Sequence, residues 1–237
     1  MRVFFLQVFL RSFIAMGDSL IFTDRVDAGS RLGQRLKQLD ITNPILVAIP
    51  RGGVPVAAAA ANLTGWPMSV FVARKLRSPN QPELAFGAVT ESGPAFLNPS
   101  IMASIGLTIE DRDEEIARQR KECARRSILF ADSTLSKRDP DTTPILIDDG
   151  IATGATAIAA LRSLKSSGFH RVLCAVPVCS REGAASIEAE CDGLITLNQP
   201  EDFTGVGQYY RNFAQLEDME VQAICRRAIS DFKGIQQ

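Results

Sequence analysis

Four short apolar runs govern what this chain can become: ILVAI (45–49), ILI (145–147), RVLCAVPV (171–178) and LITL (194–197). None alternates apolar with polar residues, so neither face can be turned to water. Such runs suit strands of a parallel sheet covered on both sides. Helical patterns lie between them. Leu32, Leu36 and Leu39 give an amphipathic helix over 27–39, and an alanine-rich stretch (54–62) closes at Thr64-Gly65. Helices are also expected over 156–165, closed by Gly168, and over 181–190. The expected fold class is therefore α/β, a parallel sheet with helices on both faces. SVFVARKL (69–76) reads as one further strand. FGAVTES (86–92) and PAFLN (94–98), joined at Ser92-Gly93-Pro94, read as a hairpin insertion. Residues 108–130 read as a charged helix with Ile109, Ile116, Cys123 and Ile128 as an interrupted apolar stripe. Acids fill its first half and bases its second, so its charge cancels as on a solvated face. Residues 133–143 hold Pro140 and read as a loop, and 17–237 as a single domain.

Composition removes several chemistries. The single histidine, His170, excludes multi-histidine metal sites, and any Ser-His or Cys-His machine would need that one residue. With 26 basic and 27 acidic residues the net charge is −1, which argues against a nucleic-acid partner but not against a small anion held by local geometry. Cysteines 123, 174, 179, 191 and 225 form no C-x-x-C pair; they read as small buried hydrophobes in a reducing, cytoplasmic setting. Residues 1–16 are rich in Phe and Leu. Arg11 interrupts them and no A-x-A-like site follows, so they are expected to be neither a membrane span nor a signal peptide but an extension outside the fold, with Met16 as an alternative start.

The chemistry concentrates in Asp148-Asp149-Gly150-Ile151-Ala152-Thr153-Gly154-Ala155-Thr156, which follows an apolar strand and enters a helix. Backbone N–H groups of such a turn, with the Thr153 and Thr156 hydroxyls, can surround a phosphate at a helix N-terminus. Two adjacent carboxylates would repel that phosphate. They suit sugar hydroxyls or a divalent cation instead. Diol at the acids and phosphate in the turn together describe a ribose 5-phosphate.

ILIDDGIATGAT resembles the signature of the type I phosphoribosyltransferases, an apolar strand, two acids and then x-x-A/D-T-G-x-T. The resemblance extends over about residues 24–215, through Asp24-Arg25 to Gly29, PRGG, RK, PELAFGAV and GQYYRNF. It implies that Asp148 and Asp149 bind the ribose hydroxyls of phosphoribosyl pyrophosphate (PRPP), and that Gly150 and the stretch Ala152, Thr153, Gly154, Ala155 and Thr156 cradle its 5-phosphate. Arg51, Gly52 and Gly53 would form a pyrophosphate loop, where relatives often carry a non-proline cis peptide. Arg74 and Lys75 would add cationic donors, although Arg74 can equally be a surface charge. Arg51, Lys75, Asp148 and Asp149 are the implied catalytic set. A magnesium ion (Mg²⁺) is the implied cofactor, near Asp148 and Asp149 directly or through ribose or water. Where 6-oxopurine transferases commonly carry a third acid this chain has Ala152, which disfavours a hypoxanthine or guanine acceptor. Tyr209, Tyr210, Arg211 and Phe213 are candidates for a hood over a nitrogen acceptor, or for a cap on the core. Residues 82–92 match a mobile loop of relatives. The resemblance thus implies PRPP transfer with pyrophosphate release, in a chain that relatives would lead one to expect as a homodimer. The alternative is a PRPP- or nucleotide-sensing regulator that has lost transfer.

Overall fold

The computed structural model describes residues 21–79, 84–91, 93–130 and 139–235. The expected extension at 1–16 lies outside the described residues, as do Pro82, Glu83 and Ser92 of the expected loop and hairpin turn. Asp24 opens the first helix by accepting from the N–H groups of Val26 and Asp27. The helix α1 (Arg25–Lys37) buries Leu32 and Leu36, and β1 (Pro44–Ala48), α2 (Gly53–Thr64) and β2 (Met68–Val70) follow. A small antiparallel sheet comes next, β3 (Ala73–Arg77), β4 (Ala85–Thr90) and β5 (Phe96–Leu97), then α3 (Pro99–Ser104) and α4 (Ile109–Leu129). The second half runs β6 (Thr143–Ile147), α5 (Ala155–Ser166), β7 (Leu173–Val178), α6 (Arg181–Glu188), β8 (Leu194–Asn198), a 3₁₀ turn (Val206–Tyr209) and α7 (Asp218–Ile235).

The main sheet has the order β2-β1-β6-β7-β8 and every pairing in it is parallel. Neighbouring residues on its strands feed opposite cores. Leu46, Ala48, Ile145 and Ile147 join α1, α2 and α7 residues on one face; Val47, Leu146, Cys174 and Val176 join α5 and α6 on the other. Helices on both faces are the arrangement that unbroken apolar strands require. After β1 the chain crosses to one side of the sheet, after β6 to the other. The carboxyl ends of β1 and β6 therefore flank a crevice at a topological switch point. The α1–α2 contact is close: a Cβ on Gly29 would fall 2.3 Å from the Val56 carbonyl oxygen.

Three expectations change. Residues 69–76 are not one strand. Val70 ends β2, and Ala73 opens β3 in the other sheet, because a parallel strand buried on both faces cannot carry Arg74 and Lys75 whereas a two-faced antiparallel strand can. In α4 the buried residues are Glu115, Gln119 and Cys123, while Ile109 and Ile128 are exposed. The buried polar pair is satisfied: Glu115 accepts from the Arg77 N–H and from Gln119 Nε2. The helices α3 and α7 are additions. Asn98, capping α3 ahead of Pro99, and the apolar pair Val221 and Cys225 in α7 were their local signals. Among the described residues no helix is long and apolar enough to cross a membrane.

Candidate functional site

Two loops meet at the switch-point crevice. The first leaves β1 through Pro50, Arg51 and Gly52, and its Pro50–Arg51 peptide is cis. The second leaves β6 through Asp148 and Asp149. Ile49 N–H donates to the Ile147 carbonyl at 2.9 Å, so the strand pairing continues to the mouth of both. Their contact is tight. A Cβ at Gly52 would lie 2.0 Å from Asp149 Oδ2, and one at Gly53 would lie 2.4 Å from the Ile147 carbonyl oxygen. Only glycine lets the first loop lie against the acids of the second.

Neither following helix has a side-chain cap. The N-cap of α2 is Gly52, and that of α5 is Gly154, whose φ of 80° suits glycine. At the start of α2 the N–H groups of Gly53 and Val54 donate to the carbonyls of Ile49 and Arg51, whereas the first N–H groups of α5 remain donors facing the crevice end of the sheet. Ala152 and Thr153 are exposed and Thr156 is half-buried. The turn is pinned from below: Ser180 Oγ bonds the Ala152 carbonyl at 2.5 Å, and Ile151 N–H donates to the Val178 carbonyl.

The two acids are held unequally. Asp148 Oδ1 accepts from the Asp149 N–H at 2.9 Å. Burial, then the Asp149 charge, push the Asp148 carboxyl well above the usual carboxylate range, and Lys75 and Arg25 oppose that. Asp149 is raised by burial and restrained by Arg25. Arg25 Nε donates to Asp149 Oδ2 at 2.8 Å, with both side chains largely shielded. The guanidinium also donates to the Ala214 carbonyl and lies 3.9 Å from the centre of the Phe213 ring. Tyr210 Oη donates to the Asp149 carbonyl at 2.5 Å, and burial raises its pKa, so it stays a donor. Arg51 extends toward the start of α7, its Nη1 3.9 Å from Glu217 and from Asp218.

The sequence candidates divide accordingly. Arg51, Gly52, Gly53, Asp148, Asp149, Gly150, Ala152, Thr153, Gly154, Ala155 and Thr156 share the crevice. Lys75 acts electrostatically on Asp148 from one face of β3. Arg74 does not join them: it lies on the opposite face of β3, where its Nε donates to Gln119 Oε1 at 2.6 Å. Tyr209 and Tyr210 are buried with Phe22, Ala28 and Val178, the core placement that the sequence left open for them. Arg211 and Phe213 are exposed. His170 is an exposed residue beside Asp141, and Cys123, Cys174, Cys179 and Cys225 are buried thiols. Burial pushes Cys123 up to about 11. Arg25 is the residue that spacing could not assign, since its partner is 124 positions away.

A family profile described as phosphoribosyl transferase domain matches residues 26–214. "Putative phosphoribosyl transferase Rv0571c" of Mycobacterium tuberculosis is 40% identical over 218 residues, which are 90% of this chain and 48% of that protein. The chain thus spans about half the length of the curated relatives it matches. The crystal structure of TT1426 from Thermus thermophilus superposes with a TM-score of 0.72 at 34% identity, covering 87% of this chain and 98% of that one.

Proposed function

Because the chain belongs to the phosphoribosyl transferase domain family, we propose that its crevice binds PRPP and transfers the 5-phosphoribosyl group to a nitrogen acceptor, releasing pyrophosphate. The observation that supports this reading is the contact of Gly52 with Asp149, which brings the Arg51 loop beside the two carboxylates and the uncapped start of α5. Asp148 and Asp149 accept hydrogen bonds from the ribose hydroxyls. The amides of Ala152 to Thr156, with the Thr153 and Thr156 hydroxyls, hold the 5-phosphate. Arg51, the amide of Gly52 and Lys75 hold the pyrophosphate, with Gly53 allowing the close approach of the loop to β6. The acceptor nitrogen forms its bond to C1 as the bond from C1 to the pyrophosphate oxygen breaks; the electron pair leaves with pyrophosphate, and the nitrogen loses its proton. Developing charge sits on a ribosyl cation and on the leaving group, which fixed donors stabilise without reorganising.

The residues fit a magnesium ion held chiefly by its ligand. The described residues include no cluster of three or more His, Cys, Asp or Glu, and two partly open carboxylates suit an ion that keeps water and substrate oxygens. Asp148 and Asp149 would hold Mg²⁺, directly or through a ribose hydroxyl or water. When bound it neutralises charge on the departing pyrophosphate. Acceptor contacts fall to the exposed Arg211 and Phe213.

Calorimetric titration of PRPP with and without Mg²⁺, then a pyrophosphate-release screen over free bases and small amines, tests the proposal. Mg²⁺-dependent binding that the Asp148→Asn, Asp149→Asn double variant abolishes is expected, with turnover of one acceptor class. Absence of PRPP binding, or binding indifferent to the double variant, overturns it. Binding with no turnover for any acceptor would make the chain a sensor of PRPP.

A further inference from the structure

We propose that a second anion-binding site, for a small phosphorylated ligand, lies in the cleft between the middle of α4 and the face of β3 that carries Arg74. The cleft has a volume of about 410 Å³ and is lined by Arg74, Arg118, Gln119, Lys121, Glu122 and Arg125, four cations against one carboxylate. That is the size of a small-ligand pocket. Its lining is charged, so phosphate oxygens are what it can recognise.

Arg74 is the anchor. It is half-buried, and its hydrogen bond goes to the neutral Gln119 amide; among the described residues it forms no ion pair. Gln119 is buried and cannot turn, because its Nε2 donates to Glu115 at 3.0 Å while its Oε1 accepts from Arg74. Glu115 in turn accepts from the Arg77 N–H. This chain of bonds fixes the guanidinium at Nε and leaves its two terminal amino groups without a partner among the described residues. Burial and then the nearby Arg126 lower the Arg74 pKa, and Glu122 across the cleft offsets this only in part. A half-buried, oriented guanidinium with no direct ion pair gains from an anion that completes it. Arg118 and Arg125 have their own carboxylates, Glu115 and Glu122, while Lys121 has no ion pair among the described residues and stands free at the rim.

The cleft is separate from the transfer crevice. Successive residues of a strand point to opposite faces, so Lys75 serves the Asp148 side and Arg74 the α4 side. One acid joins the two. Asp218 lies 3.5 Å from Arg125 at the cleft, 3.8 Å from Arg126 and 3.9 Å from Arg51 at the pyrophosphate loop. The inference does not depend on transfer activity.

The test is calorimetric titration of tripolyphosphate at low salt. The wild-type chain should show two classes of site. Arg51→Gln with Lys75→Gln should remove one class and leave the other intact. Arg74→Gln should weaken the remaining class about tenfold or more, the value of a lost charge-assisted pair of bonds. Lys121→Gln, at an exposed side chain, should weaken it severalfold with the thermal midpoint unchanged, which keeps the test valid if Arg74→Gln folds poorly. A single class lost with Arg51 and Lys75 overturns the proposal. So does a loss on Lys37→Gln as large as on Lys121→Gln, which would mark unspecific surface charge. A changed sedimentation state in Arg74→Gln with anion binding untouched would also overturn it, making the cleft a contact between copies.

Discussion

After β1 and after β6 the chain makes the same move: it leaves a parallel strand at its carboxyl end, turns on glycine, and begins a twelve-residue helix without a side-chain cap. The first loop carries Arg51 and no acid, the second Asp148 and Asp149 and no base. The backbone turns alike, but the N–H groups of Gly53 and Val54 are taken up by Ile49 and Arg51 carbonyls, so the first loop relies on the Arg51 side chain and the second on the start of its helix. Support differs as well. Among the described residues the Arg51 side chain meets its acids at 3.9 Å, whereas Asp149 is gripped by Arg25 and its carbonyl by Tyr210. Two adjacent carboxylates in a shielded place resist ionisation, so that loop needs a cation and donors brought from elsewhere in the chain.

The contact between the loops gives the largest predicted effect. Gly52→Ala places a methyl group 2.0 Å from Asp149 Oδ2, and both atoms belong to restrained groups. Forcing the loops apart at a cost of about 3 kcal/mol should lower PRPP-dependent turnover by about a hundredfold, with the fold retained by circular dichroism. Turnover close to wild type would show that the loops act separately. Breaking the grip on Asp149 comes next. Arg25→Gln leaves a shielded carboxylate unpaired and should cost about 3 kcal/mol of stability at neutral pH. Lowering the pH should recover part of it, because Asp149 can then take up a proton, and Arg25→Lys should restore more than Arg25→Gln. A thermal midpoint series over pH checks both. Tyr210→Phe removes one hydrogen bond to the Asp149 carbonyl and should cost about 1 kcal/mol, seen as a small drop in midpoint and a modest rise in the KM for PRPP.

The smallest effect has the opposite sign. Asp148 has a raised pKa in the folded chain, so the folded state binds more protons than the unfolded state above the ordinary value of 3.8. Stability therefore falls as pH rises through the interval between the ordinary and the raised value, and is fully present below it. Asp148→Asn should remove this penalty, leaving a neutral-pH midpoint at or above wild type and a flatter pH profile while PRPP binding is lost. A midpoint lower than wild type at every pH would show that Asp148 holds the fold rather than the ligand.

Much of this was legible in the chain. The runs at 45–49, 145–147, 171–178 and 194–197 became β1, β6, β7 and β8 because strands buried on both faces need unbroken apolar sequence. Asp148 to Thr156 was legible because its donors and acceptors are neighbours in sequence. The break within residues 69–76 is not legible, because a continuous apolar pattern runs without a turn signal into a two-faced one. The buried face of α4 was hidden for another reason: Glu115 and Gln119 are polar, and only partners on β3 make their burial tolerable.

By itself the sequence determined the sheet class, the local geometry of each loop and the ligand chemistry its residues can offer, since these depend on side chains within a few positions of one another. Tertiary structure alone decided that Gly52 would lie against Asp149, that Arg25 and Tyr210 would hold that loop, and that Arg74 would face away from Lys75's side of the crevice. Each of those facts joins residues distant in sequence through the packing of helices and the order of strands. Hydrophobic periodicity specifies which face is buried but carries no record of what lies across the interface.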